Sequence, residues 1–206
     1  MSDFLVSMIA YLGVISGAIS GVIEARRADM DLVGACAVAF ITALGGGTLR
    51  DFCLGRFPVF WVEETGYGII SLVVALLAFY STRFLGLTSK SMLIPDALGL
   101  GMFSILGAEY ALQLNTSFFV ATLMGIVTGV FGGVLRDVIC NKIPLVFGKK
   151  TQLYATCSLV GSVVYILLIQ LGFDQGFASF TGILLCVLMR LLAVRYNVRL
   201  PDPINL

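Results

Sequence analysis

The chain has 206 residues, 59% of them hydrophobic and only 12% charged, with a net charge of +1 and no histidine. A soluble domain carries about twice that charged fraction, so this chain cannot keep its exterior in water and reads as a polytopic membrane protein. The balanced charge argues against a nucleic-acid partner, and the missing histidine against imidazole-based catalysis.

In chain order, the N-terminal MSDFLVSMIAYLG has no basic leader and no small-residue cleavage site. It reads as the first membrane helix and not as a signal peptide. A span needs ~20 apolar residues. Seven such stretches are expected as helices: 4–23, 32–50, 67–86, 93–113, 117–136, 152–172 and 177–195. Polar segments at 24–29, 88–91 and 115–117 punctuate them. The expected fold class is therefore all-α, with seven transmembrane helices. An odd number puts the termini on opposite sides. The side holding the N-terminus carries only Arg50 and Arg56, whereas the other carries eleven Lys and Arg, including Arg26, Arg27, Arg83, Lys90, Lys142, Lys149 and Lys150. The positive-inside rule then places the N-terminus outside and the tail, 196–206, in the cytoplasm.

Residues 45–51 read GGGTLRD and residues 131–137 read FGGVLRD, offset by 86 (136 minus 50). The same offset aligns Gly13 with Gly99, Gly21 with Gly107, Ala35 with Ala121, Thr42 with Thr128, Pro58 with Pro144 and Thr65 with Thr151. The chain thus divides into a first three-helix repeat, 4–86, and a second, 90–172. The segment 177–195 is a seventh helix for packing or assembly. Three spans per copy invert the second copy, as in duplicated transporters. Glu63 and Glu64 align with Lys149 and Lys150. Opposed topology is enough to explain that charge reversal; an acidic outer mouth that concentrates cations is a second reading.

Glycine in a helix costs ~1 kcal/mol relative to alanine. Gly45, Gly46, Gly47, Gly132 and Gly133 are expected to break or kink helices 2 and 5 and to line a cavity with the freed backbone. Gly13, Gly17, Gly21, Gly125 and Gly129 have the spacing of close helix packing. Thr42 and Thr128 either face the same lumen or back-bond to the preceding turn. Arg50, Asp51, Arg136 and Asp137 fall inside the protein and need partners. Adjacent residues do not face each other on a helix, so each is expected to pair with the opposite repeat or with backbone carbonyls. Whether they pin helix ends or line a pore stays open. Asp96 and Glu109 are the other acids within apolar runs, and Pro58 and Pro144 are expected to end re-entering segments. Cys36, Cys53, Cys140, Cys157 and Cys186 stand singly, as small hydrophobes without disulfide or metal spacing.

Two G-G-x-L-R-D elements, three spans each and a seventh span resemble the prokaryotic trimeric intracellular cation (TRIC) channels, also described as carrying a duplicated "glycine transporter" or UPF0126-type domain. The resemblance covers about residues 4–195. It implies a homotrimer in the bacterial inner membrane with a potassium-passing pore in each subunit. Glycine-kinked helices 2 and 5 would frame that pore. No cofactor or metal is implied beyond permeant potassium or sodium and a bound lipid. The lysine-rich tail of the animal members is not found here, so calcium or voltage regulation is not carried over. A secondary transporter of a small solute such as glycine has the same architecture, and a non-transporting scaffold fits the buried charges least. Nothing in the sequence reads as an enzyme.

Overall fold

The structure is a computed structural model and describes residues 2–85, 91–148 and 151–199. Lys90, Lys149, Lys150, the tail from residue 200, most of the 88–91 segment and the Arg83 side chain, all used in the sequence reading, lie outside the described residues.

Regular structure among the described residues is entirely helical: α1 Ser2–Arg27, α2 Leu32–Cys53, a short α3 Phe60–Glu63, α4 Gly66–Leu85, α5 Leu93–Gln113, α6 Phe118–Ile139, α7 Ala155–Gln170 and α8 Gln175–Arg195. A 3-10 turn, Leu145–Phe147, precedes α7. Among the described residues, α1, α2, α6 and α8 are long and apolar enough to cross a membrane, and Gly66–Ser81 and Ala155–Gln170 are shorter apolar helices. Helix α5 has 21 residues but buries the charged Asp96 in its first turn. The 152–172 stretch is helical only from Ala155, because Tyr154 caps it with non-helical backbone.

The ends of the helices follow local chemistry. Asp31, Ser117 and Asp174 accept backbone N–H groups at the starts of α2, α6 and α8. Just past the C-termini, Asp29, Gly55, Asn115, Asn141, Gly172 and Asn197 take positive φ. This left-handed residue satisfies the last carbonyls and stops the helix. The caps Asp31 and Ser117, and the stops Asp29 and Asn115, are each 86 residues apart (117 minus 31, 115 minus 29).

Helix α1 packs against α2, α4 and α5, and α6 packs against α2, α5 and α7, with α8 closing over α5 and α7. Gly17 and Gly21 let α1 meet α2 closely: a Cβ there would lie 2.9 and 2.6 Å from the Cα atoms of Ala43 and Ala39. Gly125 and Gly129 do the same for α6 against α5.

The expected breaks at Gly45–Gly47 and Gly132–Gly133 do not occur, since α2 and α6 run through them as continuous helix. In lipid an unsatisfied peptide group costs several kcal/mol, more than glycine's propensity penalty of ~1 kcal/mol, so the ladder persists. The glycines serve close approach instead. A Cβ on Gly46 would overlap the Thr128 carbonyl oxygen, and one on Gly132 would overlap that of Thr42. Gly45 and Gly47 take Leu135 and Phe60 against adjoining faces of α2. Three consecutive glycines thus open three faces of one helix to three neighbours.

Candidate functional site

The crossing of α2 and α6 organises two buried ionic centres, one at each end of the bundle. Arg50 and Asp51 sit near the C-terminus of α2 and Arg136 and Asp137 near that of α6, all of them buried.

At the α2 end, Arg50 Nε donates to Asp51 Oδ1 at 2.8 Å. Its Nη2 lies 2.7 Å from the same oxygen but off the hydrogen-bonding direction. The guanidinium also lies 3.9 Å from the ring centroid of Tyr110 on α5, and Arg56 sits 4.1 Å from that ring. Two cations on one aromatic face system form a cation–π stack. Asp51 Oδ2 accepts the Phe60 N–H at 2.8 Å.

At the α6 end, Arg136 Nε donates to Asp137 Oδ1 at 2.9 Å. Its Nη1 donates to Asp96 Oδ1 at 2.7 Å and to Ser20 Oγ at 2.5 Å. Tyr154 donates to the same Asp96 oxygen at 3.3 Å. Asp137 Oδ2 accepts the Leu145 N–H at 3.0 Å. Each Arg–Asp pair therefore closes on itself, contrary to the expectation from helix spacing. The arginine stem is long enough to curl back along the helix, so the Cβ separation does not limit it. The cross-repeat contacts also exist, through Tyr110 for Arg50 and Ser20 for Arg136.

Pro58 and Pro144 do not end re-entering segments. They stand at the start of the short turns, Phe60–Glu63 and Leu145–Phe147, that Asp51 and Asp137 hold by their backbone N–H groups. A fixed φ and no N–H suit a helix start. Thr42 and Thr128 donate to Val38 and Met124 carbonyls at 2.6 Å each, the back-bonding reading. Glu63 and Glu64 are exposed, and Glu64 accepts from Tyr11 of α1 at 2.5 Å. Glu109 accepts from Tyr165, and from Gln175 at 2.7 Å.

A narrow cleft of about 20 Å³, room for about one water molecule, opens beside the crossing. Thr42, Thr128, Gly132 and Gly133 line it, with Gly17, Gly99 and Gly129, and its polar end is Ser20, Asp96, Arg136 and Tyr154. Gly45, Gly46, Gly47 and Arg50 do not line it. Arg136 Nη2 is buried without a hydrogen-bond partner. The polar end gathers the C-terminal parts of α1 and α6 and the N-terminal parts of α5 and α7. The Arg50–Tyr110 stack lies at the other end of the bundle.

Sequence reasoning found the Arg–Asp pairs but not Ser20, Tyr154 and Tyr110 as their partners. The available signal was that an arginine at such depth needs more than one oxygen or ring. It also left Glu24 in a polar connector, whereas its side chain is 2% exposed and pairs with Arg27 and Lys142. Among the described residues no group of His, Cys, Asp and Glu is placed to hold a metal.

The family model described as Glycine transporter matches the chain twice, over residues 7–83 and 93–170. A UPF0126 membrane protein of Vibrio cholerae is 36% identical over 198 residues, covering 96% of this chain and 82% of the relative. The UPF0126 inner membrane protein YadS of Escherichia coli K12 is 34% identical over 199 residues, covering 96% and 95%. Among solved structures, the TRIC trimeric intracellular cation channel orthologue from Rhodobacter sphaeroides superposes with a TM-score of 0.88 at 32% identity, over 94% of this chain and 99% of that one. A second, from work on conductance through TRIC cation channels, gives 0.86 at 32% identity, over 96% and 97%. The twice-matched family model, the UPF0126 relatives and the shared helical frame together place this chain, a multi-pass membrane protein, in the UPF0126 family with the fold of the TRIC cation channels.

Proposed function

We propose that the protein is a subunit of a homotrimeric cation channel that passes monovalent ions, chiefly potassium, through its own helical bundle. The observation that carries this reading is full-length similarity to TRIC cation channels at TM-scores of 0.86 and 0.88. The ion path follows the cleft beside the α2–α6 crossing, where hydroxyls and a carboxylate replace part of the hydration shell. Two inverted three-helix repeats and a seventh helix form each subunit, a reading supported by the two matched segments and the caps and stops at constant offset. The N-terminus lies outside and the Arg136 end of the bundle faces the cytoplasm. Potassium or sodium is the permeant species. A bound lipid is the one further ligand proposed, with neither cofactor nor enzymatic activity.

Purified protein in a planar lipid bilayer under a potassium gradient tests the reading. Unitary currents that reverse near the potassium potential are the expected result. The second reading, a small-solute transporter, is favoured by the description of the matched family model as Glycine transporter. Saturable glycine uptake into proteoliposomes, without current steps, would replace the channel with that transporter.

A further inference from the structure

We infer that Asp96 is the residue that sets the sign of charge in the cleft and so makes the path select cations over anions. The inference rests on the channel reading and names the specificity determinant of the same site.

Two charged groups line the cleft, Asp96 and Arg136, and they bond to each other. Asp137 also neutralises Arg136, at 2.9 Å from its Nε. Arg136 therefore has two carboxylates, and the trio carries one net negative charge. Behind Tyr154 lies a further cation, Arg190, 3% exposed, whose guanidinium lies 4.7 Å from the Tyr154 ring centroid and donates to the Gln152 and Leu153 carbonyls. The Tyr154 ring stands between Arg190 and Asp96.

The other centre supplies the contrast. Ala10 stands 86 residues before Asp96, and Arg50 has one carboxylate, Asp51, with the Tyr110 ring in place of a second. Arg56 on the same ring leaves that centre, Arg50, Asp51 and Arg56, without excess negative charge. Asp96 is thus the group that distinguishes the cleft from its counterpart. Without it, Arg136–Asp137 is a neutral pair and Arg190 turns the surroundings positive. At a few ångströms and in a poorly hydrated cleft, one unit charge outweighs the dipoles of the hydroxyls around it.

The test is the potassium-to-chloride permeability ratio, read from the reversal potential of wild type, Asp96→Asn and Asp96→Glu under a potassium chloride gradient. Asparagine keeps an oxygen for Arg136 and Tyr154 while removing the charge. Asp96→Asn should lower the ratio roughly tenfold or more, and Asp96→Glu should keep it. A wild-type ratio in Asp96→Asn overturns the inference alone, whereas no current from wild type overturns the channel reading and the inference with it. If Asp96→Asn does not assemble, Arg190→Gln decides. It leaves the trio intact and should raise the ratio; a fall overturns the inference.

Discussion

Arg136 has three oxygen partners and Arg50 has one carboxylate and the rings of Tyr110 and Phe60. That difference fixes what each arginine is worth. Removing Arg136 leaves two buried carboxylates without a cation, whereas removing Arg50 leaves one; each keeps a single neutral donor, Leu145, Tyr154 or Phe60. Breaking a buried pair from one side costs about 3–5 kcal/mol. Arg136→Gln should therefore lower the thermal unfolding midpoint in detergent clearly more than Arg50→Gln does, and equal shifts would show that Asp96 adds nothing to the centre. The glycines make a second prediction at this scale. A methyl on Gly46 meets a backbone carbonyl that cannot yield, while one on Gly68 meets Phe40 at an ordinary 3.7 Å. Gly46→Ala should destabilise by about 1–3 kcal/mol, as overpacking does. Gly68→Ala should be neutral or stabilising, because it removes a helix glycine. Calorimetry or a thermal-shift assay on the two variants checks this.

At the scale of elements, the duplicated feature is a carboxylate clamp. Asp51 and Asp137 each turn one oxygen to their own arginine and the other to a backbone N–H eight or nine residues on. The clamp ties the end of a long helix to the short turn that follows it. Charge-assisted bonds of this kind contribute about 1.5–3 kcal/mol. Asp51→Ala should free Phe60–Glu63, so that its amides exchange with solvent roughly tenfold or more faster, while amides in the middle of α2 keep their protection. Unchanged exchange in that turn would mean that Trp61, which donates to Thr48 at 3.0 Å, holds it without the carboxylate. The sequence marked both clamps by their spacing but not their direction, since the rule for facing residues on a helix considers Cβ positions and ignores the reach of arginine. It expected helix breaks at the glycines for a related reason. Propensity speaks against a helix at Gly45–Gly47, but in a bilayer the unsatisfied backbone is the larger cost.

At the scale of the whole molecule, the charge asymmetry of the connectors makes a topological prediction. On a cysteine-free background, Phe4→Cys should react with an impermeant thiol reagent added outside intact cells, and Arg195→Cys only after permeabilisation. Reaction of both from the same side would remove the inverted-repeat reading. The two ionic centres occupy opposite ends of the bundle, and the cleft lies at the Arg136 end, which the proposed orientation turns to the cytoplasm. The Arg50–Tyr110–Arg56 stack stands at the opposite end. Its strength, unlike that of a fully buried pair, is reduced by salt at the partly exposed Arg56.

Composition alone determined that this chain lives in a membrane, because 59% hydrophobic residues cannot be hidden inside 206. Spacing alone determined the duplicated motif and the small-residue seams, because these depend on residues near one another along a helix. Only the tertiary structure decided that the glycine stretches stay helical, since each glycine faces a different neighbour brought by another helix. It alone decided that Asp96 and Ser20 meet Arg136, that Tyr154 meets Asp96, and that Tyr110 meets Arg50. Those partners lie on other helices, 40 or more residues away, and no local pattern encodes which way a buried guanidinium turns.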